Sequence, residues 1–167
     1  MHHTLIALVE DKPGVLNRVA SLFRRRNFNI ESLTVGRTAE AGVSRMTIVI
    51  DSDQAGADRV GAYLSRLVDV LQVEELSPEV AVARDLALIK VTVGGHDKAS
   101  LLRVVDETRA HIVDTGEQSM TLEITGEPPH IDAIIARLKP LGIIEMVRTG
   151  QVAMRRGDTA LCAPQYP

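Results

Sequence analysis

Apolar residues along this chain alternate with a period of about two, switch to a helical period of about 3.6, and switch back; the whole order of switches occurs twice. In the first half, TLIALV (residues 4–9) reads as a strand. A helix over about 14–26 follows at once, with positions 15, 16, 19, 20, 22 and 23 in one apolar stripe. FNIESLTV (28–35) and VSRMTIVID (43–51) both alternate and are separated by the turn-like GRTAEAG, the pattern of a hairpin with one buried face. Helical spacing returns over 55–68 through Val60, Leu64, Leu67 and Val68, and VDVLQVEEL supplies a further strand.

The second half repeats this order. LALIKVTVG (86–94) is a strand pattern, 97–110 is helical through Leu101, Leu102, Val104 and Val105, and HIVDT with SMTLEITG forms a hairpin around Gly116-Glu117. Pro128-Pro129 mark a helix start, after which Ile131, Ile134, Ile135 and Leu138 fall at i, i+3, i+4 and i+7. Pro140 and Gly142 end that helix, and GIIEMVRTGQVAM closes the half as one strand. Strand-helix-strand-strand-helix-strand, twice, is an α+β chain of two consecutive ferredoxin-like βαββαβ domains. SPEVAVARD (77–85), with Pro78 and weak patterning, holds the boundary, giving expected domains of 1–78 and 79–154. The tail 155–167 has no period and is expected to be disordered. Each sheet should carry helices on one face only and expose edge strands, which favours a dimer over a lone chain.

Composition narrows the function. Aromatic residues are 2% of the chain, so the cores are aliphatic and a pocket lacks a stacking platform. A net charge of −3 gives no overall field for nucleic acid. The one cysteine, Cys162, has no partner for a disulfide within the chain, which suits a reducing compartment. The strand pattern begins by about residue 4, leaving no room for a leader, and no apolar run approaches the roughly 20 residues of a membrane span. The expected setting is cytoplasmic, without membrane or nucleic-acid partners.

The most abrupt junction is VEDKPGVLNRV (9–19), where the first strand meets the first helix through Pro13-Gly14. The first amides of a helix lack intrahelical partners and carry partial positive charge, so a carboxylate is a natural guest above Gly14, Val15 and Leu16. Gly14 removes a side chain from that approach, Pro13 stiffens the turn, and Asp11 can accept hydrogen bonds from an ammonium group. One junction thus offers partners to both ends of a zwitterion. Asp-Lys-Pro-Gly is equally an ordinary turn with a helix cap, and the turn chemistry alone leaves both readings open.

The sequence VEDKPGVLNRVASLFRRRNFNIESLTVG, followed by SRMTIVID and LVDVLQVEEL, resembles the regulatory (small) subunits of acetohydroxyacid synthase, also called acetolactate synthase, across residues 4 to about 153. The segments NFNIESLTV and SRMTI carry the resemblance most specifically. It implies that the first half is an ACT domain, the amino-acid-sensing form of the βαββαβ plan, and that the chain is a non-catalytic subunit of branched-chain amino-acid biosynthesis. It further implies that two ACT domains pair side by side and hold the feedback inhibitor valine at their interface. Asp11, Pro13, Gly14, Val15 and Leu16 would come from one chain, and Asn29 and Ile30 from the other. Asn29 offers both a donor and an acceptor. Some members have Asn where this chain has Asp11, which adds a charge to the site. Thiamine diphosphate, magnesium and FAD are implied for the catalytic partner and none for this chain. An ACT-type amino-acid sensor acting alone on another target would use the same pocket.

Arg24-Arg25-Arg26 reads as solvated cations at a helix C-terminus or as a contact with a catalytic subunit. His2, His3, His96, His111 and His130 are scattered, away from metal-ligand spacing. Gly94-Gly95 reads as a tight turn, since no phosphate-loop pattern follows. Asp106 and Glu107 suit a solvated helix face. Arg45, in the SRMT strand, either faces a partner or pairs across the sheet. A hydrolase of this fold would need a nucleophile with an orienting base, and no Ser/His/Asp or Cys/His set assembles. An RNA-binding module of this topology needs aromatics on its central strands, which here carry Thr, Met, Ile and Val.

Overall fold

The computed structural model describes residues 1–76, 80–94 and 97–162. They divide into two compact units, Met1–Val82 together with the chain from Gln151 onward, and Ala83–Gly150. In the first, β1 (His2–Glu10), α1 (Val15–Arg26), β2 (Ile30–Arg37), β3 (Val43–Asp51), α2 (Gln54–Leu64) and β4 (Val70–Leu76) follow in the expected order. All pairings are antiparallel and the strand order is β2-β3-β1-β4, so β2 and β4 are the edges.

Alternation decides which side of this sheet is covered by helices. Leu5, Ala7 and Val9 of β1 and Met46, Ile48 and Ile50 of β3 meet Val15, Val19, Leu22 and Phe23 of α1 and Ala57, Val60 and Leu64 of α2 in one aliphatic core. Positions 15, 19, 22 and 23 recur at the spacing of one helix face. Each such side chain, fully buried, contributes about 1.5–3 kcal/mol of transfer free energy. α1 stops at Asn27, whose left-handed φ of 57° lets the Asn27 and Phe28 amides reach the Arg24 and Phe23 carbonyls. α2 starts at Asp53, whose carboxylate accepts the Gly56 amide at 2.7 Å. It ends at Leu64 rather than at 68. The Ser65 hydroxyl donates to the Gly61 carbonyl at 2.9 Å, a turn carries Leu67 back to the core, and Val68 is left 88% exposed.

The second unit contains most of β5 (Ala81–Thr92), then α3 (Asp97–Thr108), β6 (His111–Thr115), β7 (Ser119–Gly126), α4 (Pro128–Leu138), a 3-10 turn (Lys139–Leu141) and β8 (Ile143–Arg148). Its strand order is β6-β7-β5-β8, with Ile89, Val91, Leu122 and Ile124 packed against Leu101, Ile131, Ile134 and Leu138. α3 ends two residues before the expected 110, because Arg109 turns left-handed at φ 55° and the Ala110 amide reaches the Val105 carbonyl. Buried Asp85 holds Arg148, whose Nε donates at 2.8 Å, and accepts from the Thr149 hydroxyl at 3.1 Å. Burial pulls the Arg148 guanidinium down, but hydrogen bonds from it to Asp85 and Asp132 outweigh that and raise it above its ordinary value. On α3, Glu107 pairs with Arg137.

The C-terminal part departs from the expected strand plan. β5 begins at Ala81, inside the segment expected to be a linker. The single strand expected over 142–154 breaks at Gly150, with φ 83°, into β8 and β9 (Val152–Arg155), and β9 pairs with β5. The chain from Gln151 onward groups with the first unit. The Gln151 amide donates to Ser32 Oγ at 3.0 Å, and its side chain donates to Thr4 Oγ1 at 3.1 Å. Thr34 Oγ1 donates to the Gln151 carbonyl and Arg45 to the Ala153 carbonyl at 2.7 Å, which gives Arg45 its place within the fold. Burial lowers the Arg45 guanidinium below its ordinary value. Arg155 pairs with Glu74, the Arg156 amide reaches the Val80 carbonyl, and Leu161 packs against Leu8 and Val43. Within the expected disordered tail, Arg155, Arg156 and Leu161 therefore have defined contacts. Pro78, Gly95, His96 and residues 163–167 lie outside the described residues.

Phe23→Ala should cost about 3–5 kcal/mol by opening the aliphatic core. Asp85→Ala should cost about 1–3 kcal/mol, since it strands a half-buried guanidinium. Urea unfolding followed by far-UV circular dichroism reads both losses.

Candidate functional site

β1 must turn back over the covered face to place α1, and the reversal takes four residues, Asp11 to Gly14. The Asp11 amide donates to the Gly42 carbonyl at 2.8 Å, tying the loop to the β2-β3 turn, and the Lys12 amide donates to the Glu10 carbonyl at 3.0 Å. Gly14 then occupies the cap position with φ 87° and ψ −10°, and no side chain caps the helix. A side chain at Gly14 would have room, its Cβ meeting nothing nearer than Arg18 Nη1 at 3.8 Å. The glycine is thus required by its left-handed backbone and not by crowding. Above it the Val15 amide reaches the Lys12 carbonyl only at 3.4 Å, and the helical ladder begins with Arg18 to Gly14. Among the described residues, the Leu16 and Asn17 amides have no protein acceptor.

Charged side chains ring this end. Asp11 pairs with Arg37 at 3.2 Å, Lys12 with Glu10 at 2.9 Å, and Arg18 with the buried Asp69 at 2.5 Å. Pro13, Gly14 and Leu16 are exposed, whereas Val15 points into the core. Arg18 and Arg37 were not singled out in the sequence. The signal for Arg18 is its position one helical turn after Gly14; for Arg37 there was only its place at the end of an alternating segment.

Asn29 and Ile30 lie elsewhere in the same chain. Ile30 pairs with Ile50, which pairs with His3, while the junction follows Glu10, seven positions further along β1. At about 3.3 Å per residue the two groups stand roughly 23 Å apart, at opposite ends of the sheet. Exposed Asn29 donates to Glu31 at 2.8 Å, and Ile30 lies half-buried against the core. One chain therefore brings Asp11, Pro13, Gly14, Val15 and Leu16 together and leaves Asn29 and Ile30 apart from them. Among the described residues, no three His, Cys, Asp or Glu side chains gather as metal ligands, and no helix is long and apolar enough to cross a membrane.

Two βαββαβ units in one chain, the first with a glycine-led helix start that no side chain caps and with β2 at its sheet edge, define a protein of the ACT-containing class. Residues 5–72 match the family model for the AHAS small subunit-like ACT domain, and residues 84–157 match that for the small subunit of acetolactate synthase. The chain belongs to the family of acetolactate synthase small subunits, as the NFNIESLTV and SRMTI segments implied. It is 42% identical over 161 residues to the acetolactate synthase small subunit of Mycolicibacterium smegmatis, covering 96% of this chain and 95% of that one. It is 44% identical over 158 residues to the probable small subunit of Archaeoglobus fulgidus, covering 95% and 99%. The crystal structure of the small subunit from Thermotoga maritima superposes with a TM-score of 0.89 at 37% identity, covering 95% and 99%.

Gly14→Ala should lose about 1–2 kcal/mol of stability through the left-handed backbone alone, because the added methyl group has open space around it. A thermal melt that left Tm unchanged would contradict this account of the cap.

Proposed function

We propose that this chain is the non-catalytic regulatory subunit of acetohydroxyacid synthase, that it activates the catalytic subunit, and that it confers feedback inhibition by valine. The observation that carries the effector site is the helix start at Gly14, where two amides lack acceptors and two guanidiniums, Arg18 and Arg37, stand close by. An α-carboxylate fits above the Leu16 and Asn17 amides, where the helix dipole and the nearby guanidiniums favour negative charge. Asp11 would face the ammonium, and the exposed Leu16 offers an aliphatic surface to a branched side chain.

The rest of the pocket comes from a second copy. β2 is an edge strand, and its end at Arg37 touches Asp11 in the loop. Antiparallel pairing of two β2 edges about a two-fold axis sets the start of one β2 beside the end of the other. That brings Asn29 and Ile30 of the second copy to the junction, removing the separation of roughly 23 Å within one chain. Val35, 44% exposed on this edge, would be covered by the same homodimer. Valine then acts by binding two arrangements of the subunit unequally, and the catalytic subunit responds to the shift. Thiamine diphosphate, magnesium and FAD belong to that catalytic partner, in the cytoplasm.

Calorimetric titration with valine, leucine and isoleucine is the direct test, and absence of heat with all three would discard the effector site. Gly14→Asp and Gly14→Asn share a size and a tolerance for left-handed backbone but differ in charge. The Asp variant should lose feedback inhibition at least about tenfold more than the Asn variant while both still activate the catalytic subunit. Asn29→Ala should weaken valine binding about 2- to 10-fold, the worth of one hydrogen bond. Unchanged affinity would remove Asn29 from the site.

A further inference from the structure

Between α1 and the turn after α2 lies a hollow of about 340 Å³, lined by Leu22, Arg25, Arg26, Tyr63, Arg66 and Leu67. Three guanidiniums from two separate elements converge on it. Among the described residues none of the three has a carboxylate partner, whereas Arg18, Arg37, Arg59, Arg84, Arg137, Arg148 and Arg155 each have one. Arg24, Arg45, Arg103, Arg109 and Arg156 equally have no such partner among the described residues, but only these three gather on one hollow. In a chain of net charge −3, such a concentration of uncompensated positive charge is a local feature. The Phe23 and Arg24 carbonyls at the end of α1 are taken by the Phe28 and Asn27 amides and not by these guanidiniums. Arg26 lies instead over the Tyr63 ring, 4.2 Å from its centroid, and Arg25 Nε donates to the Ser21 carbonyl at 3.3 Å. Both side chains are held in place before any partner arrives.

The surroundings favour a protein over a small phosphate. Phosphate sites are built on helix N-termini and clustered backbone amides, whereas this hollow is lined by side chains at the C-terminal end of α1 and around the turn after α2. Its floor, Leu22 and Leu67, suits the methylene stems of acidic side chains. Arg and Tyr around an apolar centre is the composition of an interface anchor. The hollow opens on the α2 side of α1, and α2 packs over β1 and β4, away from the β2 edge used by the dimer.

We propose that this hollow docks an acidic surface segment of a partner protein, the catalytic subunit of the enzyme, an assignment that rests on the regulatory-subunit reading. Each guanidinium takes one Asp or Glu carboxylate, and the apolar floor takes the aliphatic stems.

The test is sedimentation of the full chain with its cognate catalytic subunit, comparing wild type with the Arg25→Glu/Arg66→Glu double variant. The variant should bind at least about tenfold more weakly and with a shallower salt dependence, while keeping wild-type circular dichroism and wild-type heat on titration with valine. If the reversal unfolds the chain, Arg25→Gln/Arg66→Gln removes the charge without repulsion and is read in the same way. Wild-type affinity in a folded variant overturns the proposal. So does unchanged assembly with a melting temperature that millimolar inorganic phosphate raises in the wild type alone, which would make the hollow a small-anion site. Failure of the wild type itself to bind the catalytic subunit overturns the regulatory reading, and the docking surface with it.

Discussion

Strand β1 is hydrogen-bonded along both sides, to β3 and to β4, and that double commitment sets the geometry of everything else in the first unit. With both neighbours in place, the chain leaving Glu10 has no free side of β1 to continue along. It must reverse over the face where Leu5, Ala7 and Val9 need cover. So sharp a reversal from strand to helix uses a left-handed residue, and Gly14 is that residue. The start of α1 is consequently left at the end of the sheet with amides facing outward. The same strand order pushes β2 to the edge. An electropositive helix start and an edge strand paired on one side are thus two results of one central strand, and the proposed effector pocket uses both.

The elements were legible wherever local periodicity reflects burial. The hairpin β2-β3, the stripe of α1 and the Ile131-Ile134-Leu138 face of α4 all read directly, since each side chain's environment is set by its neighbours one or two turns away. Leu16 shows the limit. It belongs to the apolar stripe by spacing, yet it is 46% exposed, while its neighbour Val15 takes the core-facing position. The loop part of the site was readable from turn chemistry, Pro13-Gly14 before an apolar run. Arg18 and Arg37 were not, since an exposed arginine looks the same in sequence whether it meets solvent or a loop carboxylate.

What the sequence concealed is long-range pairing. Arg45 donates to a carbonyl 108 positions away, and Gln151 meets Thr4 across 147. No window of local pattern contains both partners of either bond. AVARD looked like a linker for the same reason: the start of β5 alternates weakly, and its partner, β9, lies near the other end of the chain. A tail of Arg155, Arg156 and small residues has no period of its own, and acquires its place from Glu74, Val80 and Ala81.

The return of the chain has a further meaning. The second unit begins after Val82 and ends before Gln151, and just beyond these points the Arg156 amide and the Val80 carbonyl are 2.7 Å apart. Topologically, the second unit is an insertion, entered through the start of β5 and left just before β9, which pairs with β5. Ends held this near to one another close a loop with little further entropy whatever is placed between them. The first unit is therefore a discontinuous host, completed by residues on both sides of its guest.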